Sequence, residues 1–197
     1  MATPTKPPSR SKLIASRMLA QPKGAIAALK AGAAPNLSKQ TLTAMTGNGY
    51  RDLIASYIHE NYAPHGLDVY LEISLGKTII GKDRFIDIFV VRPEDRKAIA
   101  IECKYQDSQG TVDEKIPYAL ADLEALWMPG LLVYAGSGWS KGVMHSLEAS
   151  RLAAYCLPDA TTLGRSRETR ELDHILASVF GFWDLVLPPS KKLRRAP

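Results

Sequence analysis

The chain has 197 residues, of which 46% are hydrophobic and 23% charged. This length favours one domain with extensions, and this composition is typical of a folded globular protein and argues against wholesale disorder. No apolar run approaches the roughly 18 residues that a membrane-spanning helix needs. Two cysteines, Cys103 and Cys156, are too few for a disulfide framework. We therefore expect a cytoplasmic protein that does not bind membranes, with organellar import as a minor alternative because the N-terminus is acid-free and rich in Ser, Arg, Lys and Ala.

The formal net charge of +5 is unevenly distributed along the chain. Residues 1–50 hold seven basic side chains and no acid, and the last eight residues hold four more basic side chains. The segment between them carries a net charge of −6. Basic chain ends often bind polyanions, although solvated mobile termini have the same composition. We predict three parts: a basic N-terminal arm with short helices over 1–46, a domain over 47–189, and a basic tail over 190–197.

In chain order, the first elements predicted for the domain are a helix and three strands. Apolar side chains recur at helical spacing over 50–61. The segments 69–75, 84–91 and 98–105 have the apolar content of strands. The first alternates strictly between apolar and polar residues, which predicts a half-buried strand, and the second is apolar enough to be central.

The second half of the domain is predicted to be mainly helical. Its elements are a helix over 111–128 with Trp127 on the buried face, a strand over 130–135, an amphipathic helix over 143–156 that ends at Cys156, and a last helix over 171–182. This order predicts an α/β fold in which a mixed central sheet of four or more strands is flanked by helices.

Charged residues interrupt two of the apolar strands. Asp87 lies between Ile86 and Ile88, whereas Glu102 and Lys104 are two residues apart and so point to the same face of the sheet. Unpaired buried charge is costly, so these charges need partners. A salt bridge would pair one carboxylate with the lysine, but it does not explain why two carboxylates converge on one lysine. A divalent ion such as Mg²⁺ or Mn²⁺, which prefers hard oxygen ligands, explains both carboxylates.

The spacing of these residues resembles the PD-(D/E)XK nuclease superfamily, which has the restriction-endonuclease-like fold. Asp87 is followed fifteen residues later by Glu102-Cys103-Lys104, and the predicted element order over roughly 47–156 resembles the common core of that superfamily. One departure is Ile86, where the pattern that names the superfamily has proline. The resemblance implies a nuclease fold and hydrolysis of phosphodiester bonds.

The resemblance also implies a role for each site residue. Asp87 and Glu102 would bind the metal together with the backbone carbonyl of Cys103. Lys104 would orient or help deprotonate the attacking water and stabilise charge on the scissile phosphate. Gln106, again two residues on, is similar to a glutamine that follows the lysine in restriction-enzyme-like members, and it would position the water or the lysine. Such enzymes commonly act as homodimers.

Related nucleases often add one more acid from upstream, and Glu72 is the first candidate here. A hairpin turn centred on 79–80 would place Glu72 opposite Asp87 on the same face, whereas a turn at 81–82 would move Glu72 away. Each candidate acid is otherwise a solvated surface carboxylate. The other candidates are two acids of the first helix, Asp52 and Glu60.

Several basic side chains are candidates for contact with the DNA backbone. They are Lys141, Lys191, Lys192, Arg194 and Arg195. The backbone N–H groups of the glycine-rich loop 136–142 are further candidates for binding phosphate, although the same loop residues also fit a role in covering the core.

These features together predict a metal-dependent DNA endonuclease that hydrolyses phosphodiester bonds with Mg²⁺ or Mn²⁺, of a restriction-like, phage or bacterial kind. Two alternatives are a Holliday-junction resolvase of the same superfamily and a non-catalytic nucleic-acid-binding or assembly protein that keeps the fold.

Overall fold

The computed structural model describes residues 45–108 and 110–193. The helices within this part of the chain are α1 (Gly47–Tyr62), α2 (Ile116–Glu124), α3 (Lys141–Ala149), α4 (Arg170–Phe180) and α5 (Trp183–Val186). The strands are β1 (Asp68–Lys77), β2 (Asp83–Arg92), β3 (Lys97–Tyr105), β4 (Gly130–Ala135) and β5 (Ala153–Tyr155). The short helices predicted for the N-terminal arm lie outside the described residues.

The five strands form one mixed sheet in the order β1-β2-β3-β4-β5. The first three strands are antiparallel, because short turns join them, and β3, β4 and β5 are parallel, because α2 and α3 carry the chain back between them. The predicted α/β fold with a mixed sheet flanked by helices is therefore confirmed. Among the described residues, no helix has both the length and the apolar character needed to cross a membrane.

Side chains alternate between the two faces of β3 and β4 and build two separate cores. On one face, Ile101 and Val133 pack with α1 and α4 in the larger core. On the other face, Leu132 and Tyr134 pack with α2 and α3. Glu102 pairs in register with Leu132, and Lys104 with Tyr134, so both charged residues of β3 belong to the α2 face.

A buried carboxylate links α4 to α1 in the larger core. Asp173 is 4% exposed, and its Oδ1 accepts hydrogen bonds from the hydroxyls of Tyr57 at 2.6 Å and Tyr62 at 2.8 Å. Its Oδ2 accepts from the Thr169 hydroxyl at 3.0 Å. Burial, together with the Asp173 carboxylate, raises the pKa of both phenols, so they stay neutral donors.

The helix predicted over 143–156 is wrong in its second half. The α3 helix ends at Ala149, Ser150 is extended, and Ala153–Tyr155 forms β5. The backbone of this segment pairs with the exposed edge of β4: the Leu132 N–H donates to the Leu152 carbonyl at 2.7 Å, and the Cys156 N–H to the Tyr134 carbonyl at 3.1 Å. These sheet hydrogen bonds outweigh the helical pattern, and Cys156 follows a strand instead of ending a helix.

The helix predicted over 111–128 is also too long. It consists of a 3₁₀ turn, Asp113–Lys115, followed by α2, which ends at Glu124. Trp127 therefore lies in the loop before β4 and is 80% exposed, so its predicted burial is wrong. The neighbouring Leu126 and Met128 pack against the sheet in its place.

Candidate active site

The β1–β2 hairpin has the first of the two predicted registers. Its turn occupies 78–82, and Leu71 pairs with Ile88 while Ile73 pairs with Ile86. This register sets Glu72 opposite Asp87. Glu72 itself has a φ of 53°, which a regular strand does not contain, so the hairpin is irregular at this position.

The inward-facing side chains of β2 pack in different cores on the two sides of Asp87. Ile88 packs in the larger core, whereas Ile86 packs with Leu75 and Ala100 in a separate cluster. The ladder between β2 and β3 also ends at Ile88. Beyond it, the Asp87 Oδ2 accepts a hydrogen bond from the backbone N–H of Cys103 at 2.8 Å. The carboxylate thus replaces a strand–strand hydrogen bond, which fixes Asp87 beside the Glu102-Cys103-Lys104 segment.

Glu102 and Lys104 form an ion pair on the α2 face of β3. Their side chains are 24% and 18% exposed. Burial raises the pKa of Glu102; the Lys104 charge opposes this shift, and the Asp87 carboxylate adds to it. The structure therefore brings Asp87, Glu102 and Lys104 together: Lys104 pairs with Glu102, and the Asp87 carboxylate lies near enough to Glu102 to add to the rise in its pKa.

This donor set fits a hard divalent cation. Mg²⁺ is commonly held by one or two carboxylates, with water and substrate phosphate completing its coordination. Among the described residues, no group of three His, Cys, Asp or Glu side chains is placed to hold an ion. The Cys103 thiol belongs to the larger core, where burial raises its pKa, so it is not a thiolate ligand. An ion here would rely on two carboxylates and on oxygen atoms from the substrate and solvent.

Glu72 and one candidate acid of α1, Asp52, lie around a further basic residue, Arg51. The Arg51 guanidinium contacts the Glu72 carboxylate at 2.7 Å and the Asp52 carboxylate at 2.8 Å. The structure therefore places Glu72 across the hairpin from Asp87 but with its carboxylate on Arg51. Glu60 is exposed on α1. Sequence reasoning missed Arg51, because a single basic residue on a helix carries no signal of its partners.

Gln106 joins three segments of chain at the end of β3. Its side chain is 5% exposed, and its Nε2 donates to Asp113 Oδ1 at 2.7 Å and to the Gly138 carbonyl at 2.9 Å. Asp113 Oδ2 in turn accepts from the Ser140 N–H at 3.1 Å. The Gln106 Oε1 is buried without a hydrogen-bond partner among the described residues. The amide nitrogen is thus engaged within the protein, and Gln106 supports the loops beside the site.

The glycines of the loop after β4 permit this close approach. Gly136 has a φ of +100°, and a Cβ there would lie 2.2 Å from the Gln106 carbonyl oxygen. A Cβ on Gly138 would lie 2.5 Å from the backbone of Ser108. The loop can therefore pack on the segment after β3 only with glycine at these positions.

We expect Gly136→Ala to lower the free energy of unfolding by at least about 2 kcal/mol, since it combines a left-handed φ with a backbone clash. Chemical denaturation measures this change. Gly142→Ala is the matched control, because Gly142 lies in α3 and a Cβ there meets no atom within 4 Å. We expect it to be neutral or stabilising by up to about 1 kcal/mol. Equal effects of the two changes would contradict the packing described here.

The N–H groups of Gly138 and Ser140 are not free to bind phosphate. The first donates to the Gln106 carbonyl at 2.8 Å and the second to Asp113. The prediction of a phosphate-binding loop is wrong for these two groups, because the loop uses them to hold itself against the domain. Trp139 is 8% exposed and packs in the core that lies between the sheet and α2 and α3. This matches the alternative role of the loop, which is to cover the core.

The basic candidates for DNA contact that the structure describes are all exposed. Lys141 is exposed as the first residue of α3, and Lys191 and Lys192 are exposed at the last 3₁₀ turn. Arg194 and Arg195 lie outside the described residues.

A buried ion pair between Arg84 and Asp122 also borders the site and was not predicted. Arg84 Nε and Nη2 donate to the two Asp122 carboxylate oxygens at 2.7 and 2.8 Å. Asp122 Oδ1 also accepts from the backbone N–H of Ile79 at 2.8 Å. These bonds fasten the β1–β2 hairpin to α2, and Asp122 is close enough to Glu102 to raise its pKa further.

Comparison of the chain with protein-family models identifies a family. The model of the PD-(D/E)XK nuclease superfamily domain matches residues 46–183, which contain Asp87, Glu102 and Lys104. No curated protein sequence matches the chain significantly.

Two solved structures are similar to parts of the chain. A repair endonuclease from Pyrococcus abyssi has 18% sequence identity to this chain and a TM-score of 0.31. The match covers 51% of this chain and only 43% of that protein. A protein of unknown function has 13% sequence identity and a TM-score of 0.38, and the match covers 73% of this chain and 71% of that protein. Both similarities are low, so the assignment rests on the family model, which covers well over half of the sequence. The chain belongs to the PD-(D/E)XK nuclease superfamily.

Proposed function

We propose that this chain is a metal-dependent DNA endonuclease that hydrolyses phosphodiester bonds. The observation that carries the proposal is the convergence of Asp87, Glu102 and Lys104 at neighbouring positions of β2 and β3, inside the region matched by the nuclease family. This convergence supports catalysis more than a non-catalytic binding role, because a binding protein has no need for two carboxylates beside the phosphate.

Asp87 and Glu102 are the proposed metal ligands, together with the backbone carbonyl of Cys103. Nucleases of this superfamily generally use divalent metal ions, and bound Mg²⁺ or Mn²⁺ would supply an activated water and compensation for charge developing on the phosphate. The protein's own contribution is position: the Cys103 N–H holds Asp87, and Lys104 holds Glu102.

Lys104 is the proposed partner of the scissile phosphate. Its ammonium group lies on Glu102, which fixes a cation beside the proposed metal ligands. A charged lysine orients the attacking water and stabilises the oxyanion rather than acting as a free base. In this scheme Gln106 is a positioning residue, because it holds the loops that follow β3 and β4.

A panel of DNA substrates tests this function. The purified protein is incubated with supercoiled plasmid, linear duplex, single strand and a four-way junction, each with Mg²⁺ and with EDTA. We expect cleavage with Mg²⁺ and none with EDTA. Cleavage of the junction alone would identify a resolvase instead, and no cleavage of any substrate with Mg²⁺ or Mn²⁺ would overturn the proposal. We also propose that the chain acts as a homodimer, as the resemblance to this superfamily implies, and light scattering on the protein without DNA tests this.

We expect deletion of residues 1–45 to weaken DNA binding and to reduce its salt dependence, while plasmid cleavage at saturating DNA persists. The deleted segment carries seven basic side chains and no acid. Each phosphate contact that is lost lowers the slope of log K against log[salt] by about 0.9. Fluorescence anisotropy at several salt concentrations measures this slope, and an unchanged slope would contradict a role for the arm in binding phosphate.

A further inference from the structure

The exposed Trp127 borders a cleft of about 560 Å³ at the end of β3 away from Lys104. Apolar side chains of Phe89, Met128 and Val179 line the cleft. Trp127 is 80% exposed, whereas the other tryptophans, Trp139 and Trp183, are 8% and 42% exposed. This volume lies within the range of small-ligand sites, and an indole this accessible leaves a flat aromatic face free to stack.

Two cations, Arg96 and Lys97, stand at the rim of the cleft. Arg96 belongs to the turn between β2 and β3, and Lys97 is the first residue of β3. In this turn Asp95 pairs with Arg92 and lies 3.2 Å from the Lys97 ammonium. Among the described residues, no ion pair involves Arg96, and this residue is held at a φ of 61°. The turn therefore presents a cation beside an apolar cleft and accepts a strained backbone there.

The cleft lies in line with the catalytic residues. Ala98 lines it and shares one face of β3 with Glu102, because the two are four residues apart. Four residues of strand span about 13 Å, a distance that a short single-stranded segment of nucleic acid can bridge.

We propose that this cleft binds an unpaired nucleobase of the substrate, stacked on Trp127, with Arg96 and Lys97 on the adjoining phosphate. The inference rests on the proposed nuclease function and adds to it a preference for substrates with single-stranded character near the cleaved bond. Aromatic stacking with flanking cations is how single strands are bound without sequence preference. A base inside a duplex has both faces stacked on its neighbours, so it cannot use such a cleft.

A second copy of the chain fits the cleft less well. Eight residues line it, whereas a stable protein interface uses roughly 20–30 residues on each side. The combination of one exposed indole and two cations matches a nucleotide, which is apolar and flat at the base and anionic at the phosphate.

Tryptophan fluorescence of the full chain in EDTA tests the cleft without cleavage. The probes are a thymidine 12-mer and a blunt duplex of the same length. In a Trp183→Phe background, we expect the single strand to quench the emission of Trp127. We expect Trp127→Leu to weaken single-strand binding by about 5- to 100-fold and duplex binding by less than twofold. Trp183→Leu is the matched control and is expected to bind both probes as the wild type does.

Arg96→Gly separates binding from folding. Glycine relieves the left-handed φ, so the melting temperature is expected not to fall, while single-strand affinity falls at least threefold. Unchanged single-strand affinity in Trp127→Leu would overturn the proposal. Two results before DNA is added would also overturn it. Protection of the Trp127 emission from acrylamide would mean that the chain itself fills the cleft, and a dependence of this emission on protein concentration would mean that a second copy does.

Plasmid cleavage by the same preparations reports separately on the proposed function. Cleavage without quenching by the single strand would overturn the cleft alone. Trp127-dependent binding without cleavage in Mg²⁺ or Mn²⁺ would support the cleft and overturn only the nuclease.

Discussion

Replacing Lys104 with alanine is expected to slow phosphodiester cleavage by about 10²–10³-fold, which is the usual effect of removing one preorganised donor to a developing oxyanion. Lys104 lies on Glu102, so its ammonium group is already placed beside a proposed metal ligand. Single-turnover cleavage of plasmid at saturating Mg²⁺ measures this rate.

Mn²⁺ binding distinguishes a catalytic lysine from a structural one. The two carboxylates are intact in Lys104→Ala, so we expect it to bind Mn²⁺ at least as tightly as the wild type, because one competing cation is gone. Lys104→Arg keeps the charge but not the compact ammonium group, and we expect partial activity. Full activity in Lys104→Ala would contradict the assigned role, and loss of Mn²⁺ binding would make the lysine a support for the carboxylates instead.

Replacing Asp122 with alanine is expected to lower the free energy of unfolding by about 3–5 kcal/mol, because it leaves the Arg84 guanidinium buried without its partner. The two side chains are 8% and 15% exposed and form a bidentate pair. Loss of the pair also detaches from α2 the hairpin that carries Asp87. We therefore expect the rate of cleavage to fall together with the stability. Chemical denaturation gives the change in stability.

Lys77→Ala on the same hairpin is the matched control. Lys77 also pairs with an aspartate, Asp83, at 2.7 Å, but these side chains are 60% and 59% exposed. An exposed pair contributes about 0–1 kcal/mol, so we expect a change below about 1 kcal/mol. Equal effects of Asp122→Ala and Lys77→Ala would show that the buried pair does not brace the hairpin.

The Asp122 pair also predicts how stability depends on pH. Its hydrogen bond with Arg84 lowers the pKa of Asp122. The stabilisation is therefore fully present above the pKa of an unfolded aspartate, about 3.9, and is lost as pH falls through the lower folded value. The gap in unfolding free energy between wild type and Asp122→Asn should be constant above about pH 5 and should shrink below about pH 4.

The alternation of side chains between the two faces of a strand made the main part of the site predictable. It placed Glu102 and Lys104 on one face of β3 without any knowledge of the rest of the fold, and the ion pair between them confirms it. The bounds of β4 were predicted to the residue, since Pro129-Gly130 stops the preceding segment.

Contacts between distant segments were not predictable in the same way. Residues 153–155 continue a helical pattern, but they pair with β4 because its edge offers backbone partners that sequence does not reveal. Likewise, nothing in the spacing of Gln106, Asp113 and Gly138 indicates that one amide nitrogen joins all three segments.

The position of Trp127 shows a related limit. The apolar period continues past the end of α2, so the sequence predicts a buried indole. The helix stops at Glu124 instead, and Leu126 and Met128 fill the space beside Ala100. Helix ends are poorly defined by apolar spacing alone, and here the end of one helix decides whether a tryptophan is core or surface.

Nicking of supercoiled plasmid by the wild type and by Glu102→Gln, measured side by side across a Mg²⁺ titration, tests the central claim most directly. The substitution keeps the shape of the side chain and removes the charge that would hold the ion. We predict Mg²⁺-dependent nicking by the wild type and a loss of at least about 10³-fold in the variant at every Mg²⁺ concentration. Equal nicking by the two proteins, or nicking by the wild type that persists in EDTA, would contradict a metal-dependent site built on Asp87 and Glu102.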